Sequence, residues 1–148
     1  MKLSAHFSLA EATYSDKAKK LGLENIPDRY TLETMKYTAL KMEAVRRLLG
    51  NNSIRINSWF RGPEVNRAVG GVPTSQHAKG EAVDFTCALF GTPYEICELL
   101  EKNKDVIQFD QLIYEKTWVH ISFRRFGNRG NVLTYRAPGH YMPGLDKE

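Results

Sequence analysis

The chain has 148 residues, the size of one ordinary domain, with 42% hydrophobic and 26% charged residues, a mix typical of a soluble globular protein. Lys and Arg number 21 against 17 Asp and Glu, a formal charge of +4, and because the basic residues are scattered rather than gathered into a stripe, no nucleic-acid partner is expected. No apolar stretch reaches membrane-spanning length and the first residues hold no run suited to a signal peptide, so the expectation is a monomer made in the cytoplasm, with no membrane span.

Ser8 followed by Glu11 in FSLAEAT is a capping-box pattern and predicts a helix over about residues 9–21, ended by Gly22. Thr31 opens a second predicted helix, on which Leu32, Met35, Ala39, Met42, Val45 and Leu49 recur at helical spacing until Gly50 and two asparagines stop it. That stripe reads as core packing. The period then changes, and SIRINSWF alternates β-branched and aromatic residues as a strand does. Pro63 after Gly62 suits the first position of a short helix. A Gly70–Pro73 loop follows, then the strand EAVDFTC. Thr92-Pro93-Tyr94-Glu95 carries a cap, a first-turn proline and the reciprocal glutamate, so a helix should run to about Asn103. DQLIYE and WVHISF, separated only by Lys116 and Thr117, predict a hairpin. VLTY adds a last strand, and the tail from about residue 136 is expected to be irregular. Helices followed by a run of strands argue for an α+β fold, N-terminal helices packed on a mostly antiparallel sheet, in one domain over residues 1–148. Cys87 and Cys97 form no closely spaced pair and read as two buried, reduced thiols.

Two short segments, SQHAKGEAVDF and EKTWVHIS, hold the residues with chemistry. Alternation puts Val83 and Phe85 on one face of their strand and Ala82 and Asp84 on the other. A carboxylate in the middle of an apolar strand is costly to bury unless it is paired or binds a metal. His120 sits likewise in the middle of WVHISF. Two imidazoles and a carboxylate, with His77 from the preceding loop, are a donor set used at catalytic zinc, which keeps a further position for water. Spacing alone leaves open a hydrogen-bonded core histidine and an ion pair between Asp84 and Arg55 or Arg61.

SQHAKGEAVDF (residues 75–85) resembles the S-x-H-x-x-G-x-A-x-D motif of the zinc D-Ala-D-Ala carboxypeptidases and L-alanyl-D-glutamate endolysins. Trp118-Val119-His120 resembles their W-x-H segment, NSWFRGPEVN (57–66) is similar to their S-x-x-R segment, and FSLAEAT resembles the opening of a phage-type branch. The resemblance runs from Phe7 to about Phe123. It implies a hedgehog/DD-peptidase-like fold with one zinc ion on His77, Asp84 and His120. Arg61 matches the arginine that holds the substrate carbonyl or carboxylate. Ser75 and Gln76 match positions beside the site, with Trp118 in the substrate cleft, while Asn66 and Gly71 would serve the backbone there. The base departs from the pattern. Many relatives carry an acid three residues before the last histidine, where this chain has Thr117. Glu115 is the expected base, as in the hedgehog-type arrangement where a glutamate is set further back, and Asp110 is the other candidate.

The implied activity is zinc-dependent hydrolysis of a peptidoglycan stem peptide, between two D-alanines or between L-alanine and D-glutamate. A phage or prophage lysis enzyme, reaching the wall through a pore made by another protein, fits the missing signal peptide. The alternative is a hedgehog-like domain that keeps zinc for stability and uses its cleft for a protein partner.

Overall fold

The computed structural model describes all 148 residues. Helices α1 (Leu9–Thr13), α2 (Asp16–Leu21) and α3 (Arg29–Leu48) precede strand β1 (Arg55–Ser58), helix α4 (Pro63–Ala68) and strand β2 (Ala82–Thr86). Helices α5 (Pro93–Lys102) and α6 (Lys104–Ile107) lead into strands β3 (Gln111–Tyr114), β4 (Val119–Ser122), β5 (Asn131–Ala137) and β6 (His140–Pro143). The strands form one six-stranded sheet in the order β1-β2-β4-β3-β5-β6, in which only the β3–β5 pair is parallel. The α+β expectation holds. No helix is long and apolar enough to cross a membrane.

Side-chain alternation divides the sheet into two faces. Val83 and Phe85 of β2, Ile121 and Val119 of β4, and Leu112 and Tyr114 of β3 stand in register and point into the core, which also takes Met35, Ala39, Met42 and Val45 of α3 and Ile96 and Leu100 of α5. Trp59 is fully buried there, its ring edge-on to Phe7 at 6.1 Å. The other face carries Asp84 opposite His120, with Ile113 opposite His120 on the next strand and Leu133 beyond it. The apolar alternation that builds the core thus lines the polar residues of three strands along the opposite surface.

Several boundaries differ from the sequence reading. The single helix expected over 9–21 is two: Tyr14 is extended, and Ser15 caps a new helix by accepting the Ala18 N–H. The capping box at Ser8 and Glu11 is present as expected. Helix α3 begins at Arg29, because the Asp28 carboxylate accepts the Thr31 N–H at 2.7 Å and makes Asp28 the cap. Strand β1 is shorter than SIRINSWF, since a register shift after Ile56 releases Trp59 and Phe60 into the core. The short helix α6 was not expected. The tail is not irregular from residue 136: Pro138 and Gly139 (φ +75°) form a turn, and β6 returns antiparallel to β5. A Pro-Gly pair between two alternating segments was the available signal.

Candidate active site

His77 sits on the loop between α4 and β2, and several contacts fix that loop. Its Nδ1–H donates to the Trp59 carbonyl at 2.7 Å, and its backbone N–H donates to Ser75 Oγ at 3.1 Å. The Arg61 N–H donates to the His77 carbonyl at 3.2 Å, which ties the arginine segment to the histidine loop. Gly80 closes the turn in the left-handed region (φ +75°), and its carbonyl accepts from Thr38 Oγ1 at 3.0 Å and from Trp59 Nε1 at 3.1 Å. Nearby, Asn66 Nδ2 donates to the Val72 carbonyl, and its Oδ1 lies 2.1 Å from where a Cβ on residue 71 would stand, so any side chain there would have to displace the buried Asn66 amide. Asn66 and Gly71 therefore shape the loop, as expected.

The three expected ligands converge. His77 Nε2 lies 3.2 Å from Asp84 Oδ2, and His120 Nδ1 lies 2.9 Å from Asp84 Oδ1. One donor atom from each residue falls within 4.8 Å of the other two. The alternative pairing of Asp84 with Arg55 is not seen, since Arg55 is paired opposite Thr86 on β1. Burial alone would raise the Asp84 carboxyl, but the adjoining imidazoles outweigh it and hold the group well below the usual carboxylate range.

Residues 5–122 match the Peptidase M15 family. The chain belongs to that family. A comparison with curated proteins finds no match. The M15 family is one of zinc metallopeptidases, and the donor set of this M15 chain fits that ion: two imidazole nitrogens and a carboxylate, converging on one point. The Trp59 carbonyl fixes the His77 tautomer with the proton on Nδ1, which leaves the Nε2 lone pair facing Asp84.

Around the triad lies a cleft of about 830 Å³, whose lining includes Arg61, Ser75 and Gln76 as well as Glu115 and Trp118. Glu115 ends β3. Its N–H donates to the Trp118 carbonyl at 3.1 Å across the expected two-residue connection, and Lys116 takes a left-handed conformation (φ +70°). Burial raises the Glu115 carboxyl, the charge of His120 opposes the rise, and that of Asp84 adds to it. A carboxyl raised in this way beside a metal site suits proton transfer. Asp110 does not share the cleft. It is fully buried, with Oδ1 accepting from the Arg129 N–H at 2.9 Å and Oδ2 from Arg129 Nη2 at 2.7 Å. Its bonds are spent on structure, which removes it as a candidate base.

Arg61 lines the cleft, its Nε buried and without a protein partner. Burial pushes its guanidinium below the ordinary arginine value, and the Asp84 charge counteracts this. Trp118 Nε1 is likewise buried and unpartnered. Ser75 lines the cleft while its Oγ supports His77. Gln76 also lines it, but its amide donates to Asp110 Oδ2 at 3.1 Å and Glu81 Oε1 at 3.2 Å. The side chain of Gln76 is therefore engaged within the protein. Unforeseen cleft residues come from the last two strands: Leu133, Tyr135 and Tyr141. His140, by contrast, is exposed.

Proposed function

We propose that this M15 chain hydrolyses peptide bonds in the stem peptides of peptidoglycan, with one zinc ion held by His77, Asp84 and His120. The observation that carries this reading is the convergence of these donors with Glu115 and Arg61 in one cleft. Zinc bound there supplies Lewis acidity, polarising the scissile carbonyl and making water a nucleophile near neutral pH. Glu115, raised by burial, accepts the proton of the attacking water and returns it to the leaving amine. The guanidinium of Arg61, with an unspent buried donor, binds the substrate carbonyl or carboxylate and stabilises the negative charge that develops. Either bond named above suits this machinery, the one between two D-alanines or the one between L-alanine and D-glutamate. Trp118 and Ser75 lie where the peptide would run, and the supporting loop includes Gln76.

A phage or prophage endolysin role, with release through a pore made by another protein, follows from the resemblance of FSLAEAT (residues 7–13) to a phage-type branch and of residues 75–85 to the endolysin motif, and belongs to the same proposal. The protein acts as a single domain and a monomer in this reading.

The test is direct. Zinc-loaded protein and a Glu115→Gln variant are incubated with purified peptidoglycan, and released fragments are identified by mass spectrometry. Wild type should release stem-peptide fragments that name the bond, and the variant should retain zinc and lose about 10²–10⁴-fold in rate. Equal cleavage by both would remove Glu115 from the mechanism. No cleavage by either, with zinc bound, would favour the protein-binding alternative.

A further inference from the structure

The family match ends at residue 122, yet the cleft continues beyond it. Strand β5 adds to β3 in parallel, with Leu133 in register with Ile113, the neighbour of His120. The row from Asp84 through His120 and Ile113 therefore extends onto β5 without interruption. Two residues further along, Tyr135 stands on the same face, and the β5–β6 register sets Tyr141 directly opposite it. Their rings meet edge to face at 5.7 Å with an interplanar angle of 67°, and both line the cleft. The stacking gives the Tyr141 side chain a fixed neighbour on an otherwise exposed edge strand.

The position of Tyr141 relative to the reacting groups is specific. β6 is one edge of the sheet and β1, whose continuation carries Arg61, is the other. Arg61, Glu115 and Tyr141 nonetheless border the same cleft, so a peptide lying across the sheet is bracketed from both flanks. Partial burial and the charges of Glu115 and Asp84 push the Tyr141 phenol above its ordinary value, and a phenol is in any case protonated near neutral pH and able to donate.

We infer that Tyr141 is a substrate-contacting residue, whose phenol donates a hydrogen bond to a main-chain oxygen of the peptide bound beside Glu115, and that the β5–β6 hairpin is a substrate-recognition wall added to the family's metal site. The inference rests on the proposed peptidase reading for the identity of the peptide. It does not depend on turnover.

The test separates the two. Binding of a soluble stem pentapeptide to the zinc-loaded Glu115→Gln protein is measured by calorimetry, with and without Tyr141→Phe, which keeps the ring and its contact with Tyr135. The kcat/KM of Tyr141→Phe is measured in the otherwise wild-type protein, and Tyr30→Phe, at an exposed tyrosine that does not line the cleft, controls for the substitution. Circular dichroism and zinc content verify that each variant is folded and loaded. Tyr141→Phe should weaken peptide binding and lower kcat/KM each by about tenfold, the effect of one lost hydrogen bond, while Tyr30→Phe changes neither. Binding and kcat/KM of Tyr141→Phe within twofold of its parent would overturn the assignment and leave the peptidase reading intact. Peptide binding that weakens in Tyr141→Phe, without cleavage by wild type, would sustain the contact and overturn the peptidase reading. No binding to any form would overturn both.

Discussion

Gly80 tests how tightly the loop under His77 is specified. A Cβ at residue 80 would stand 2.6 Å from Met35 Cγ and 3.3 Å from Thr31 Cγ2, in a backbone conformation (φ +75°) that side chains disfavour. The left-handed conformation costs about 1–2 kcal/mol for a residue with a Cβ, and overpacking a filled core typically costs about 1–3 kcal/mol more. Neither side can yield readily. Met35 is fully buried on α3, and the Gly80 carbonyl is held by both Thr38 and Trp59. Gly80→Ala should therefore lose roughly 2–5 kcal/mol, a large share of the about 5–15 kcal/mol that stabilises an ordinary domain, and lower Tm on the order of 10 °C. Urea unfolding monitored by tryptophan fluorescence, in chelator so that zinc does not contribute, measures the loss. Met35→Ala removes the overlapping atom, so Gly80→Ala made in that background should cost only the conformational part. The cycle should yield a coupling of about 1–3 kcal/mol. A loss below about 1 kcal/mol, or additivity of the two substitutions, would refute the argument.

Three further outcomes are expected. Burial alone would raise the Asp110 carboxyl, but hydrogen bonds from Arg129 and the charges of Arg129 and Arg124 lower it below its ordinary value; its stabilisation is therefore complete above the unfolded carboxylate pKa of about 3.9 and lost as pH falls through the lower folded value. Urea titrations at stepped pH should show that Asp110→Asn, which leaves two half-exposed arginines behind, costs about 1.5–3 kcal/mol at pH 7 and lacks this acid-dependent component; an unchanged slope below about pH 4 would count against the pairing. Zinc at 100 times its dissociation constant should stabilise the fold by about 2.7 kcal/mol, seen in calorimetry as a Tm that falls on chelation in wild type and not in Asp84→Ala. Cys87 and Cys97 are both buried, and burial pushes the Cys97 thiol up to about 12, so a thiol-reactive dye should label neither rapidly in the folded protein and both after denaturation.

Much of the site was legible because its signals are local. A histidine three residues before a glycine, an aspartate among apolar strand residues and a histidine inside WVHISF are visible wherever the chain goes, and the alternation around Asp84 correctly separated its face from that of Val83 and Phe85. Capping boxes at Ser8 and Thr92 marked helix starts because the donors they satisfy lie within one turn, and Pro63 marked another because it brings no N–H to be satisfied there. The break at Tyr14 was missed because two caps, Ser8 and Ser15, compete inside one apolar pattern.

What the tertiary structure decided is which distant groups meet. Sequence alternation left Asp110 and Glu115 as rival bases; only the arrival of Arg129 and Arg124 at Asp110, and burial of Glu115 near His120, distinguished them. The same holds for Tyr141. A Pro-Gly turn and a short alternating segment carry no mark of a binding wall, and the parallel pairing of β5 with β3 is what carries that hairpin to the cleft. Local patterns fix which face a side chain takes because they depend on the geometry of neighbouring residues alone. Strand order joins residues far apart in the chain, and its energy resides in contacts that do not exist until the sheet has formed.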